Sequence, residues 1–273
     1  MGTKKGNNSL VNGLIGWLSK KSLKVKIFLG ILLVLFTLVI LDISVKDKSY
    51  FFIASEAVYI AGTIVLFYKL FRQKTCSGVS LKTQELMALF LASRLICSIF
   101  IEANIHTLLD LTSLVSVLLV IWMIRFKLKS SYIKELDNLR WSFVVVPCAI
   151  LAILIHPGTI HGRLVQSLWA FSVYLEAVSV LPQLRYMQNA KMIETFTGKY
   201  VFALGVSKFL GLAHWLIQIY KTRGAYFYLI GNGFFWFTVG FLAEIVQSFI
   251  LADFCYYYIK SYMQGQLLRK MPV

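Results

Sequence analysis

Eight long apolar runs, most of them long enough to cross a bilayer as helices, dominate this sequence of 273 residues. A hydrocarbon core about 30 Å thick requires roughly 20 apolar residues per helix, and charged or turn-forming residues separate the runs. The predicted spans are 26–45, 52–71, 84–102, 107–124, 142–156, 164–184, 200–220 and 229–252. With 58% hydrophobic and 15% charged residues, the chain is excluded from the class of soluble single domains. We therefore predict an all-α membrane protein.

The positions of the basic residues predict how the chain is oriented. With a cytosolic N-terminus, 21 of the 28 Lys and Arg residues lie on the cytosolic side and five on the opposite side, while Arg94 and Lys208 fall inside spans. This excess follows the positive-inside rule and predicts that both termini are cytosolic. The net charge is +16, and the charged residues lie mostly between the apolar runs. This arrangement favours anionic membrane lipids over nucleic acid as partners.

Two terminal segments flank the predicted spans. Residues 1–25 are basic and carry Leu10, Leu14 and Leu18 at helical spacing, which fits either a short interfacial helix or a disordered cytosolic tail. Residues 261–273 are predicted to be a second cytosolic tail.

Three ionisable residues lie deep inside predicted spans: Arg94, Glu176 and Lys208. Each costs roughly 2.5 to 3.5 kcal/mol at a helix centre, so each is expected to face the protein interior or water. Two interpretations fit: Glu176 only neutralises one cation as an internal pair, or two cations against one carboxylate leave surplus positive charge for an anionic ligand. Trp215, seven residues after Lys208, is expected either to line that site or to anchor at the interface.

The sequence carries no motif that indicates catalysis or metal binding. It contains no nucleophile elbow, zinc-protease, phosphate-loop or dinucleotide motif, and its four cysteines form no metal-binding spacing. We predict neither enzymatic activity nor a cofactor or metal.

Five ordered segments resemble the ER lumen protein-retaining receptors, the KDEL/HDEL receptor family. They are CSGVSLKTQ (76–84), FVVVPCAILA (143–152), WAFSVYLEAVSVLPQL (169–184), KYVFALGV (199–206) and ADFCYYYIK (252–260). The resemblance implies a seven-helix bundle similar to SWEET and PQ-loop transporters, here over 52–260, with 26–45 as an additional N-terminal transmembrane helix. It also implies residence in the endoplasmic reticulum and cis-Golgi membranes.

The resemblance assigns ligand-binding roles to four positions. The family's carboxylate-binding arginine falls on Arg94, its helix-five glutamate on Glu176, its first helix-six arginine on Lys208 and its tryptophan on Trp215. Other family positions are changed here, and they are Tyr59, Leu95, Cys97, Gln166, Ser207 and Gln218.

Two functions follow as expectations from this resemblance. In the first, the chain binds C-terminal K/HDEL-type signals of lumenal proteins and retrieves them from Golgi to ER, with Arg269 and Lys270 engaging the COPI coat. Those two residues also fit an ordinary positive-inside flank. In the second, the changed positions mark a divergent member without retrieval activity that acts as a small-solute transporter or membrane scaffold.

Overall fold

The computed structural model describes residues 50–101, 105–158, 162–190, 193–221 and 235–263, all within the unit Ser49–Val273. The predicted span 26–45, the segment 1–25 and the tail residues Arg269 and Lys270 lie outside the described residues. The helices are α1 (Tyr50–Gln73), α2 (Leu81–Ile101), α3 (Ile105–Trp122), α4 (Ser142–Leu154), α5 (Arg163–Val178), α6 (Leu181–Asn189), α7 (Thr195–Lys221) and α8 (Trp236–Met263). A π-helical turn, Met123–Lys127, extends α3.

Six stretches of these helices are long and apolar enough to cross a membrane, with α5 and α6 counting together as Arg163–Asn189. The shorter α4, with 13 residues, is also apolar. These helices confirm the prediction of an all-α membrane protein. Large apolar side chains such as Phe100, Leu164 and Phe249 are exposed on the outer surface, as expected of residues that face lipid.

The helix that was predicted to end at residue 252 continues to Met263. Its last turns carry aromatic side chains that pack inward: Phe254 is fully buried, and Tyr258 stacks on Phe202 of α7 with ring centroids 4.9 Å apart. The predicted span ends immediately before the charged Asp253, whereas packing against α7 extends the helix past it.

The bundle is organised around α1, α2, α5 and α7. Helix α1 packs on α7 and α3, α2 packs on α3 and α5, and α8 packs on α7 and α5. Helix α4 packs on α5 at the side of the bundle. Small residues permit the closest approaches: a methyl group at Gly62 of α1 would come within 2.9 Å of Ala203 Cβ in α7. The polar side chains of α1, α2, α5 and α7 therefore face a common interior.

The segments CSGVSLKTQ and LPQL contact each other at one end of the bundle. The Gln183 side chain accepts a hydrogen bond from Ser80 N (2.9 Å) and donates one to the Gly78 carbonyl (2.8 Å). Gly78 has φ of 84°, a left-handed conformation that favours glycine. The helical hydrogen-bonding pattern is interrupted between α5 and α6, immediately before Pro182, whose ring cannot continue a helix from the preceding turn. These two motifs close one end of the bundle and leave the charged residues further along the helices.

Candidate functional site

The three ionisable residues that the sequence placed within spans meet in the bundle interior. Arg94 lies on α2, Glu176 on α5 and Lys208 on α7. Arg94 Nη1 donates a hydrogen bond to Glu176 Oε2 at 3.0 Å, and Lys208 Nζ forms an ion pair with Glu176 Oε1. Glu176 thus bridges two cations that belong to different helices.

Two further carboxylates, Glu56 of α1 and Asp110 of α3, complete the coordination of Arg94. Asp110 Oδ1 accepts from Arg94 Nε at 2.8 Å and lies 2.6 Å from Nη2, and Glu56 Oε1 accepts from Nη2 at 3.1 Å. Glu56, Arg94, Asp110 and Glu176 are each less than a tenth exposed. These four residues and Lys208 are termed the charge cluster below.

The charge cluster differs from the sequence expectation of surplus positive charge. Among the described residues, three carboxylates contact two cations, so the formal balance is negative. Asp110 escaped notice although it lies within the predicted span 107–124, where the rule that singled out Arg94 applies equally. Glu56 lies near the start of the predicted span 52–71, yet α1 begins at Tyr50 and carries its side chain into the interior.

Neighbouring polar groups hold the charge cluster in place. Ser113, one turn after Asp110 on α3, lies 3.4 Å from Glu56 Oε2 and donates to it. Gln247 of α8 donates to the Glu176 backbone carbonyl at 2.8 Å, which ties α8 to the last turn of α5. Such supporting bonds reduce the freedom of buried charged side chains and keep their geometry fixed.

An aromatic side chain separates part of the cluster from the hydrophobic core. The Tyr59 ring centroid is 5.9 Å from Lys208 Nζ, a cation–π distance. The Tyr59 hydroxyl is buried and has no hydrogen-bond partner among the described residues. A buried hydroxyl of this kind can still donate to, or accept from, a group that enters the site.

Trp215 lies two turns beyond Lys208 on α7 and forms an aromatic wall with α8. Its ring centroid is 5.2 Å from Phe237 and 6.5 Å from Phe241. It hydrogen-bonds to Glu244 of α8, and this carboxylate interacts electrostatically with Arg94, Glu176 and Lys208. The four sequence-predicted site residues therefore belong to one region, with Trp215 at its edge and Glu244, an acidic residue of the predicted span 229–252, as a further member.

These features define a multi-pass helical membrane protein with a buried cluster of charged residues in its interior, and no group of His, Cys, Asp and Glu side chains in the described part of the chain could hold a metal ion. The family profile described as ER lumen protein retaining receptor matches residues 75–218. The chain is 35% identical over 222 residues to an ER lumen protein-retaining receptor of Petunia hybrida, covering 80% of this chain and 97% of that one. It is 34% identical over 223 residues to ER lumen protein-retaining receptor B of Arabidopsis thaliana, with the same coverage.

A Dictyostelium discoideum receptor of the same name is 28% identical over 219 residues, or 78% of this chain and 94% of that one. The chain belongs to the ER lumen protein-retaining receptor family. It is accordingly a multi-pass membrane protein of the ER and Golgi system.

Proposed function

We propose that this chain binds C-terminal K/HDEL-type signals of lumenal proteins and retrieves those proteins from the Golgi to the ER. Family membership supports this function, because the relatives are named as receptors that retain ER lumen proteins. The structural observation that carries it is the placement of Arg94 and Lys208 on opposite sides of the Glu176 carboxylate.

Carboxylate exchange is the step that this geometry supports. A free peptide C-terminus has the same shape and charge as the Glu176 side chain, so it can take over the Nη1 edge of Arg94 while Glu176 stays on Lys208. Charge-assisted hydrogen bonds from a planar guanidinium suit a carboxylate particularly well. Trp215 and its aromatic neighbours supply an apolar surface for the terminal leucine side chain.

The remaining parts of the proposal concern the ends of the protein and its route. Both termini are cytosolic, Arg269 and Lys270 engage the COPI coat, and the chain cycles between the ER and the cis-Golgi. Cytosolic basic residues contact anionic lipids, as the excess of Lys and Arg on that side indicates. Accessibility of tags at either terminus in selectively permeabilised cells tests the orientation, and Arg269→Ala with Lys270→Ala tests coat recruitment by co-precipitation.

Peptide binding to the purified full chain in lipid nanodiscs tests the central claim. Peptides ending in HDEL and KDEL are titrated at pH 5.5 and pH 7.2, with C-terminally amidated peptides as controls. We expect the peptides with a free C-terminal carboxylate to bind saturably. This binding should be lost in Arg94→Ala and Lys208→Ala but retained in Lys129→Ala. Lys129 is exposed in a short 3-10 helix, Lys129–Ser131, and serves as the matched control. If neither peptide binds saturably at pH 5.5 or at pH 7.2, the proposal is wrong. If the protein instead carries a solute into proteoliposomes, that result supports the transporter function.

A further inference from the structure

A polar contact outside the charge cluster joins the adjoining ends of three helices. Glu85 of α2 accepts a hydrogen bond from Arg125 Nη2, in the π-helical turn that extends α3, and another from Trp141 Nε1 at 3.2 Å. Trp141 immediately precedes α4. The Arg125 side chain is 56% exposed although it is paired, so its guanidinium remains open to a second anion.

Further cations adjoin this contact along the chain. Lys127 lies over the Trp122 ring, with Nζ 5.6 Å from the ring centroid. Lys127, Lys129 and Arg140 are exposed, and none of them forms an ion pair within the part of the chain that the structure describes. Trp122 and Trp141 are also exposed. These residues are termed the basic–aromatic patch below: Trp122, Arg125, Lys127, Lys129, Arg140 and Trp141.

The basic–aromatic patch lies where a membrane-crossing helix ends. Arg125 and Lys127 belong to the last turn of the stretch Thr107–Lys127, which is long and apolar enough to cross a membrane. Apolar side chains of α3 and α4 near the patch are exposed, among them Leu118, Leu119, Phe143 and Val146. Tryptophan and long basic side chains at the end of a span typically lie at headgroup level, with apolar neighbours against the acyl chains. The patch has the composition and position of such a site.

We propose that the basic–aromatic patch binds an anionic membrane phospholipid. The lipid phosphate contacts Arg125 and Lys127, and the acyl chains lie along the exposed apolar side chains of α3 and α4. Glu85 holds Arg125 and Trp141 together while the guanidinium keeps further N–H groups for the phosphate. This site rests on the proposed contact between basic residues and anionic lipids, and it is independent of peptide binding in the charge cluster.

Titration with short-chain lipids measures the proposed site. The full chain, purified in detergent, is titrated with dioctanoyl phosphatidic acid, and the comparison ligands are dioctanoyl phosphatidylcholine and glycerol phosphate. We expect phosphatidic acid to bind saturably and at least about tenfold tighter than either comparison ligand. Equal affinity for phosphatidylcholine contradicts recognition of the negative headgroup, and equal affinity for glycerol phosphate indicates a site for free phosphates instead of a lipid. Absence of saturable binding also overturns the proposal.

Two charge-matched double variants locate the binding. Arg125→Gln combined with Lys127→Gln should weaken binding of dioctanoyl phosphatidic acid by at least about tenfold. Arg72→Gln combined with Lys199→Gln removes the same charges from other exposed positions and is the control. Lys199 also lies over an aromatic ring, that of Phe196, at 5.2 Å from the centroid, so the control removes a cation–π contact as well. Equal weakening in both double variants overturns the assignment, because binding then follows total charge.

A single substitution keeps the test decisive if the double variant does not fold. Within the described part of the chain, the Lys127 ammonium forms a cation–π contact but no ion pair, so Lys127→Gln disturbs little packing. It should weaken lipid binding by about fivefold, and unchanged affinity contradicts the proposal. Binding of HDEL and KDEL peptides should be unchanged in this variant. If those peptides fail to bind the unaltered chain while the lipid binds, the receptor function is wrong and the lipid site stands.

Discussion

Arg94 Nε donates a 2.8 Å hydrogen bond to Oδ1 of Asp110, a residue on the next helix of the chain. Because Asp110 also lies 2.6 Å from Nη2, it fixes one edge of the planar guanidinium. Nη1 is thereby directed toward Glu176 and Nη2 toward Glu56. Arg94 therefore links four helices. Its Nη1, which donates to Glu176, is the group on which we propose that a peptide carboxylate replaces Glu176.

Glu176→Gln is expected to destabilise the protein more than Asp110→Asn. Glu176 contacts both cations, so its loss leaves the largely buried Lys208 without an ion-pair partner among the described residues. Removing a partner of a buried charge commonly costs about 3 to 5 kcal/mol. Asp110→Asn leaves Arg94 on two carboxylates and relieves some repulsion, so about 1 kcal/mol is expected. Thermal unfolding in detergent measures both, and the reverse order of Tm values contradicts the proposed arrangement.

Gly205→Ala is expected to destabilise the contact between α7 and α8. A methyl group at Gly205 would lie well inside van der Waals contact with Cys255 Sγ. Overpacking of this kind costs about 1 to 3 kcal/mol, although alanine itself favours a helix. Cys255→Ala added to Gly205→Ala should restore most of the lost Tm. Gly240→Ala is the control, because the nearest atom to its new methyl group is 3.8 Å away in Trp215; an equal loss there points to a general intolerance of substitution.

The sequence predicted part of the charge cluster for a physical reason that applies to single residues. Arg94, Glu176 and Lys208 stand in apolar spans, and the cost of exposing a charge to lipid places each of them in the interior whatever the packing. Their mutual contacts depend on how three helices are rotated and offset, which no periodicity within one helix determines. Glu244 illustrates the limit, since its proximity to the site follows only from the position of α8 beside α7 and α5.

Helix ends were predicted less well where tertiary contacts override local polarity. The end of α8 was placed at residue 252 because Asp253 follows an apolar run, yet the helix continues through the buried Phe254 to Met263. The aromatic stacking of Tyr258 on Phe202 stabilises this extension and involves residues 56 positions apart. Local hydropathy carries no information about such a partner.

Glu194→Gln is expected to cost more stability than Lys69→Met, although the two residues form one ion pair. The Lys69 side chain is fully buried and also donates to the Ser77 carbonyl (2.6 Å) and to Thr197 Oγ1 (2.9 Å). Glu194 is 28% exposed, so water can solvate it after Lys69 is removed. Loss of Glu194 instead leaves the buried Lys69 ammonium without its carboxylate. We expect Glu194→Gln to lower the free energy of unfolding by about 3 kcal/mol and Lys69→Met to lower it by about 1 kcal/mol.

A double-mutant cycle on this pair checks the asymmetry. Tm values of Glu194→Gln, Lys69→Met and the double variant are compared in the same detergent. The double variant should be more stable than Glu194→Gln alone, because it removes the uncompensated buried charge. Additive losses, or a larger effect of Lys69→Met, contradict the interpretation that Lys69 is the desolvated partner.

Cys76, in the loop between α1 and α2, is expected to resist alkylation in the folded protein. Burial raises the pKa of its thiol, with Ser131 and Lys69 opposing that effect only in part. The thiol lies 3.3 Å from the Leu128 carbonyl and is fully buried. Since the thiolate is the reacting form, a raised pKa lowers reactivity at pH 7.4 and requires a higher pH for deprotonation.

The matched variant for this measurement is Cys76→Ala combined with Ser77→Cys, which moves the thiol to an exposed neighbouring position in the same loop. Labelling by a water-soluble maleimide, followed by intact mass, should be at least about tenfold slower at Cys76 than at position 77. The remaining cysteines, all buried, are common to both proteins. Equal rates would mean that the loop opens faster than the reagent reacts, and the contact between CSGVSLKTQ and the end of α3 would then not hold this end of the bundle closed.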